Sequence, residues 1–147
     1  MFLYHYTNVF PETIKRDGLC CSYKSEDTEI INEVLNELEE HPNWIDRSYC
    51  LFFHIEKITG VGEYIVTIDT NQLDANELYV ANGDIAQKVF DAIYYGKQHL
   101  YKNLAQEYWE SVMPLETYLK NDMLYLNSEI LYLRDIKPQQ IHQIEQV

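Results

Sequence analysis

The sequence predicts a single α+β domain, and three observations carry that reading. Its 147 residues suit one domain with one core. Short aromatic and β-branched runs, such as Phe2-Leu3-Tyr4-His5-Tyr6-Thr7 and Tyr64-Ile65-Val66-Thr67-Ile68, have the composition and alternation of strands. Between such runs lie stretches with apolar residues at helical spacing, most clearly residues 25–41. No internal repeat, low-complexity tract or linker divides the chain, so residues 1–147 read as one unit.

From the N-terminus, the aromatic run predicts a strand over residues 2–6. Asn8-Val9-Phe10 then turns the chain into a short helix opened by Pro11 and stopped by Asp17-Gly18. Leu19-Cys20-Cys21 follows as a short strand or buried turn. Residues 25–41 place Ile30, Ile31, Val34, Leu35 and Leu38 on one helix face, with Glu29, Glu33, Glu37, Glu39 and Glu40 largely elsewhere. Pro42-Asn43 ends that helix, and Arg47 and Ser48 lead into a second aromatic strand over residues 49–54. A glycine turn, Thr59-Gly60-Val61-Gly62, precedes an alternating strand over residues 63–69. Leu78-Tyr79-Val80 reads as a short strand, and Asn82-Gly83-Asp84 starts a helix over residues 85–95. Gly96 breaks it, and residues 100–112 form another helix before Pro114 opens a turn through Tyr118 and Leu119. Residues 123–133 predict a strand, residues 135–140 a turn, and residues 141–146 the last strand.

Composition excludes several classes of function. The formal net charge of −13 repels a nucleic-acid backbone, so general DNA or RNA binding would need a local basic patch. No apolar run approaches the roughly 18–20 residues of a membrane-spanning helix, and no basic start followed by an apolar run marks a secretory signal. A soluble, cytoplasmic protein without membrane partners is expected. Three cysteines, two of them adjacent, make no disulfide framework and read as reduced thiols. Cys20 and Cys21 have no recognised metal-ligand spacing with any histidine, so no metal is expected.

Two residues stand out against this background. Glu129 is a carboxylate in the middle of an otherwise apolar strand, where its charge is costly unless balanced. Strand periodicity alone also allows it to point to the solvated side of the pleat. His5 stands between apolar neighbours, where a histidine is more often a hydrogen-bonded core residue than a ligand-binding one.

The order of the motifs adds a further reading. Leu3-Tyr4-His5-Tyr6-Thr7, a helix ending in Asp17-Gly18-Leu19, an aromatic strand, Ser128-Glu129-Ile130-Leu131 and Ile136-Lys137-Pro138-Gln139-Gln140-Ile141 follow one another. This series resembles a mono-ADP-ribosyltransferase of the histidine-tyrosine-glutamate type, shared by diphtheria-like toxins and small bacterial and phage transferases. The likeness covers most of the chain in outline, with its specific motifs at the two ends. It implies a split, twisted β-sheet core built from the strands near residues 2–6, 49–54, 63–69, 123–133 and 141–146, with peripheral helices. It also implies NAD as substrate and a macromolecular acceptor, protein rather than nucleic acid, in a toxin or a phage and host conflict.

By that resemblance Glu129 is the catalytic carboxylate, and His5 orients a ribose from a neighbouring strand facing the same cleft. The backbone of Tyr6, beside Thr7, holds the nicotinamide carboxamide, while Ser48 and Tyr49 support the site. Tyr49 or another of the thirteen tyrosines stacks on the ring. Arg47, with Arg16, Lys15 and Lys24, is a candidate donor to the pyrophosphate. Two departures touch this picture. Tyr6 stands where the family often has glycine, which reshapes the nicotinamide pocket. Asn127 stands two residues before Glu129, where members often carry glutamate or glutamine, which leaves the acceptor open.

A rival reading makes the chain a non-catalytic acidic interaction or inhibitor protein on the same scaffold. RNA 2′-phosphotransfer would call for basic residues around the pocket. A Cys50–His54 nucleophile pair is disfavoured, because a thiol buried among aromatic side chains is hard to ionise.

Overall fold

The computed structural model describes residues 1–37, 42–122 and 124–147. Strand β1 (Phe2–Thr7) pairs antiparallel with β3 (Tyr64–Asp69), and β3 with β7 (Ile141–Gln146). The second antiparallel sheet runs β2 (Leu51–Phe53), β6 (Ser128–Tyr132), β4 (Leu78–Asn82) and β5 (Met113–Pro114). Helices α1 (Pro11–Asp17), α2 (Glu26–Asn36), α3 (Gly83–Tyr94), α4 (Tyr101–Glu110) and α5 (Leu115–Lys120) complete the α+β fold. Among the described residues, no helix is long and apolar enough to cross a membrane.

The sheets meet at a narrow seam. Tyr4 and His54 exchange both backbone bonds, Tyr4 N to His54 O at 2.9 Å and His54 N to Tyr4 O at 2.8 Å. One residue further on, the His5 ring reaches across, with Nδ1 2.8 Å from the Phe52 carbonyl. The ring thus satisfies a carbonyl where the backbone ladder between β1 and β2 has stopped.

Each face of the second sheet has its own core. Leu51, Phe53, Ile130, Leu78 and Val80 pack against Leu3, Val66 and Ile68 of the first sheet, with Ile14 of α1 and Leu115 of α5. On the other face, Leu131 and Ala81 meet Val34 and Leu35 of α2, Val89 of α3 and Tyr108 of α4. Alternation along each strand divides the residues this way, as a pleated sheet covered on both sides requires. Gly18 fixes the approach of α1: at φ 78° it is in glycine's territory, and a Cβ there would lie 1.9 Å from the Ile136 carbonyl oxygen.

Four expectations need correction. The strand expected over residues 49–54 is Leu51–Phe53 with a bridge at His54, because Asp46 caps a tight turn at Arg47–Tyr49, its carboxylate accepting from Ser48 N at 2.8 Å. The strand expected over residues 123–133 begins only at Ser128. Tyr125 is instead tied to α5, its N–H donating to the Tyr118 hydroxyl at 3.2 Å, while Leu124 and Leu126 are exposed; Met123 lies outside the described residues. The turn expected after Pro114 is the helix α5, preceded by the edge strand β5. The long helix is Glu26–Asn36, with Ser25 as its cap, and the expected Leu38, Glu39, Glu40 and His41 lie outside the described residues.

Candidate functional site

Glu129 is not a solitary charge. Arg47, at the entry to β2, donates from Nη1 to Glu129 Oε1 and to the Tyr108 hydroxyl, and from Nε to Asn32 Oδ1 at 2.7 Å. Tyr108 OH donates to the same Oε1 at 2.5 Å. The guanidinium also lies over two rings, 4.6 Å from the Phe52 centroid and 4.9 Å from that of Tyr108. Four elements therefore join in one network: β6 supplies the Glu129 oxygen, the capped turn and α4 donate to it through Arg47 and Tyr108, and α2 holds Arg47 through Asn32.

Burial sets the electrostatics. Arg47 is 2% exposed and Glu129 19%. Desolvation acts to lower the arginine pKa, but Glu129 and Tyr108 overcome it, and the net shift is upward. Burial pushes the Tyr108 phenol well above its usual range, so its hydroxyl stays protonated and can donate. Both hydrogen bonds to the carboxylate fall on Oε1, leaving Oε2 without a hydrogen-bond partner among the described residues.

The strand register decides which side chains share Glu129's face. The pairs Leu51↔Tyr132, Phe52↔Leu131 and Phe53↔Ile130 put Phe52 and Leu131 on that side. Continuing the register by one residue brings His54 directly opposite Glu129, and Glu129 acts on the His54 ring electrostatically. Burial is the larger influence and lowers the His54 pKa. Across the seam Tyr6 meets His54 edge to face, with centroids 5.5 Å apart. The Tyr6 hydroxyl is fixed by Ile58, accepting from its N–H at 2.6 Å and donating to its carbonyl at 2.9 Å. Lys24 lies 5.6 Å from the Phe52 centroid, its Nζ donating to the Cys21 and Tyr23 carbonyls.

His5 is not brought to Glu129. It pairs with Val66 on β3, its ring contacts Phe53 at 5.5 Å, and both neighbours belong to the core between the sheets. Strand β2 separates it from β6, so the expected neighbouring strands facing one cleft are not formed by this pair. Burial lowers the His5 pKa, against the raising effect of the Phe52 carbonyl. A neutral ring must carry its proton on Nδ1 to donate there.

The other predicted residues divide likewise. Tyr6 shares the Glu129 side, whereas Thr7 is buried on the His5 side, its Oγ1 accepting from Val9 N at 3.1 Å. Ser48 serves the capped turn, and the Tyr49 ring is 60% exposed, with no hydrogen bond or ring contact to Glu129 among the described residues. Arg47, expected as a pyrophosphate donor, is bonded to Glu129, Tyr108 and Asn32. Arg16 is paired with Asp17 on the surface, and Lys24 lies over the Phe52 ring on the Glu129 face. The sequence reading missed Asn32, Tyr108 and His54 as site residues. Tyr108 carried a signal, since a tyrosine on the apolar face of a helix needs a partner for its hydroxyl. The Cys50 thiol is pushed up to about 12 by burial, which leaves it inert.

A cavity of about 820 Å³ opens between α2, α4 and the end of α3, lined in part by Ile30, Val34, Ile93 and Tyr101, with Glu33 and Glu37 on its α2 wall. Its lining does not include Glu129 or His54 and shows no comparable polar network among the described residues, so the site is located by its chemistry and not by the cavity. No protein-family model matches the sequence, and no curated protein matches it.

Proposed function

We propose that the chain is an NAD-dependent mono-ADP-ribosyltransferase working at Glu129, passing ADP-ribose to a macromolecular acceptor. One observation carries the reading. The Glu129 carboxylate is held at Oε1 by Arg47 and Tyr108 while Oε2 is left to a ligand. A carboxylate fixed in advance stabilises developing positive charge without reorganising. In the reaction, the bond between ribose C1′ and the nicotinamide nitrogen breaks and its electron pair leaves with nicotinamide. Positive charge spreads over C1′ and the ring oxygen, the acceptor nucleophile bonds to C1′, and the acceptor's proton goes to solvent. Glu129 would face that charge, and the aromatic side chains of Tyr6 and Phe52 would form the adjoining wall.

The Arg47 charge favours a second reading, because it offsets part of the field that Glu129 can offer. In that reading the ion pair is purely structural and the chain is a non-catalytic interaction protein, the cavity beside Glu33 and Glu37 receiving its partner.

The test is transfer of label from NAD to macromolecules in a lysate, with wild type and Glu129→Gln. The amide oxygen can still accept from Arg47 and Tyr108, which favours retention of the fold. Transfer should fall roughly a hundredfold or more while NAD affinity changes far less. Full activity in a folded Glu129→Gln protein, or no labelling and no NAD binding by wild type, would overturn the proposal.

A further inference from the structure

We infer that the groove between α2 and α4 receives a basic amphipathic helix from a partner protein. Glu129 is not part of its lining, so the inference holds whether or not ADP-ribose is transferred there. It adds an interaction surface and states the chemistry of what covers it.

Shape is the first ground. Along α2 and its cap the lining falls at Ile30, Glu33, Val34 and Glu37. Along the Gln98–Leu100 turn and α4 it falls at positions 98, 101, 102, 105 and 106. Both rows have the i, i+3, i+4, i+7 spacing of a single helix stripe. Two such stripes side by side are what a further helix packs against, its ridges entering the space between them. The floor is apolar, with Val34 and Ala105 buried and Ile30 38% exposed. From Ile30 to Glu37 the groove runs about 10 Å, two turns of helix.

Charge is the second ground and sets the sign of the partner. Glu33 and Glu37 are exposed, and neither has an ion-pair partner among the described residues. They stand one turn apart, where like charges repel, and at the carbonyl end of α2, whose last turn carries no basic residue. A cation placed there is attracted by both carboxylates and by the helix end. Lys102 on the facing wall directs the partner's basic side chains toward α2. A second copy of the chain, itself at −13, is repelled.

The experiment titrates a fluorescent synthetic helix of about 18 residues into the full chain. Its Leu residues form one stripe, with Lys on one flank and Gln on the other. A second peptide carries Glu in place of each Lys, and a third keeps the composition of the first with the stripe scrambled. The first should bind, and the other two about tenfold or more weakly. Glu33→Gln with Glu37→Gln should weaken the first about tenfold, the scale of two partly shielded ion pairs. Glu12→Gln with Glu63→Gln removes the same charge from exposed positions outside the groove and should change binding by less than about twofold. No binding of the first peptide overturns the proposal, as does equal binding of its acidic or scrambled counterpart. So does an equal loss in the two double variants, which would mark attraction to the overall charge of the chain. A dimer of the chain that the peptide dissociates would give the groove to a second copy and overturn the basic partner.

Discussion

His5 and His54 sit on bonded strands one register step apart, yet they belong to opposite faces of the seam. On the His5 side the ring meets Phe53, Val66 is the strand partner, and the ring's hydrogen bond goes to a backbone carbonyl. The His54 side is polar and partly open, with Glu129, Arg47 and Tyr108 in one network. A single step of pleat gives two half-buried histidines different neighbours. Composition cannot tell them apart, since both lie in aromatic strands and both have their pKa lowered by burial.

The sharpest way to break this contrast is to remove a charge from the polar side. Arg47→Met strands the Glu129 carboxylate and should cost about 3–5 kcal/mol in urea denaturation, with Glu129's partial exposure favouring the lower end. Adding Glu129→Leu to that variant should recover most of the loss, because the penalty comes from an unpaired charge rather than from a missing attraction. No recovery would mean that Arg47 acts mainly through its packing on Phe52 and Tyr108.

On the His5 side, Ile130→Val, one residue from Glu129, should cost about 1 kcal/mol and leave transfer unchanged. A large effect on transfer would show that the two faces are coupled through the backbone of β6.

The smallest expected effect concerns pH. Both rings have folded-state pKa values below the ordinary 6.5, so the unfolded chain takes up more protons as pH falls. This contribution to stability is fully present above about pH 6.5 and is lost as pH drops toward the depressed folded values. Denaturation midpoints between pH 7.5 and 5 should therefore decline, and His5→Asn should make that decline shallower. An unchanged slope would remove burial of a neutral His5 ring from the account.

Much of the fold was legible because it rests on local pattern. β3 follows a period-two run, β1 an aromatic composition, and α1, α2 and α3 start and stop signals that need no distant partner. The stretch at Leu124–Asn127 misled, because alternation there has no strand to pair with and the Tyr118 hydroxyl ties down Tyr125. Within the site, Glu129 was visible as a charge among apolar neighbours. Its partners were not, since Asn32, Arg47 and Tyr108 come from three separate elements that only the folded chain assembles. The facing of His5 was equally hidden: alternation orders residues within a strand, but the bridge at Tyr4 and His54 decides which row meets Glu129.

The strand order carries a consequence for synthesis. β6 lies between β2 and β4, although it comes later in the chain than both. A nascent chain that has exposed β1 through β5 can pair β1 with β3, but its second sheet lacks the strand that joins its parts. The Phe52 and Tyr79 edges would stay unpaired until Ser128–Tyr132 leaves the ribosome. Completion of that sheet and arrival of the Glu129 carboxylate are therefore one event, and a chain halted before it would have neither.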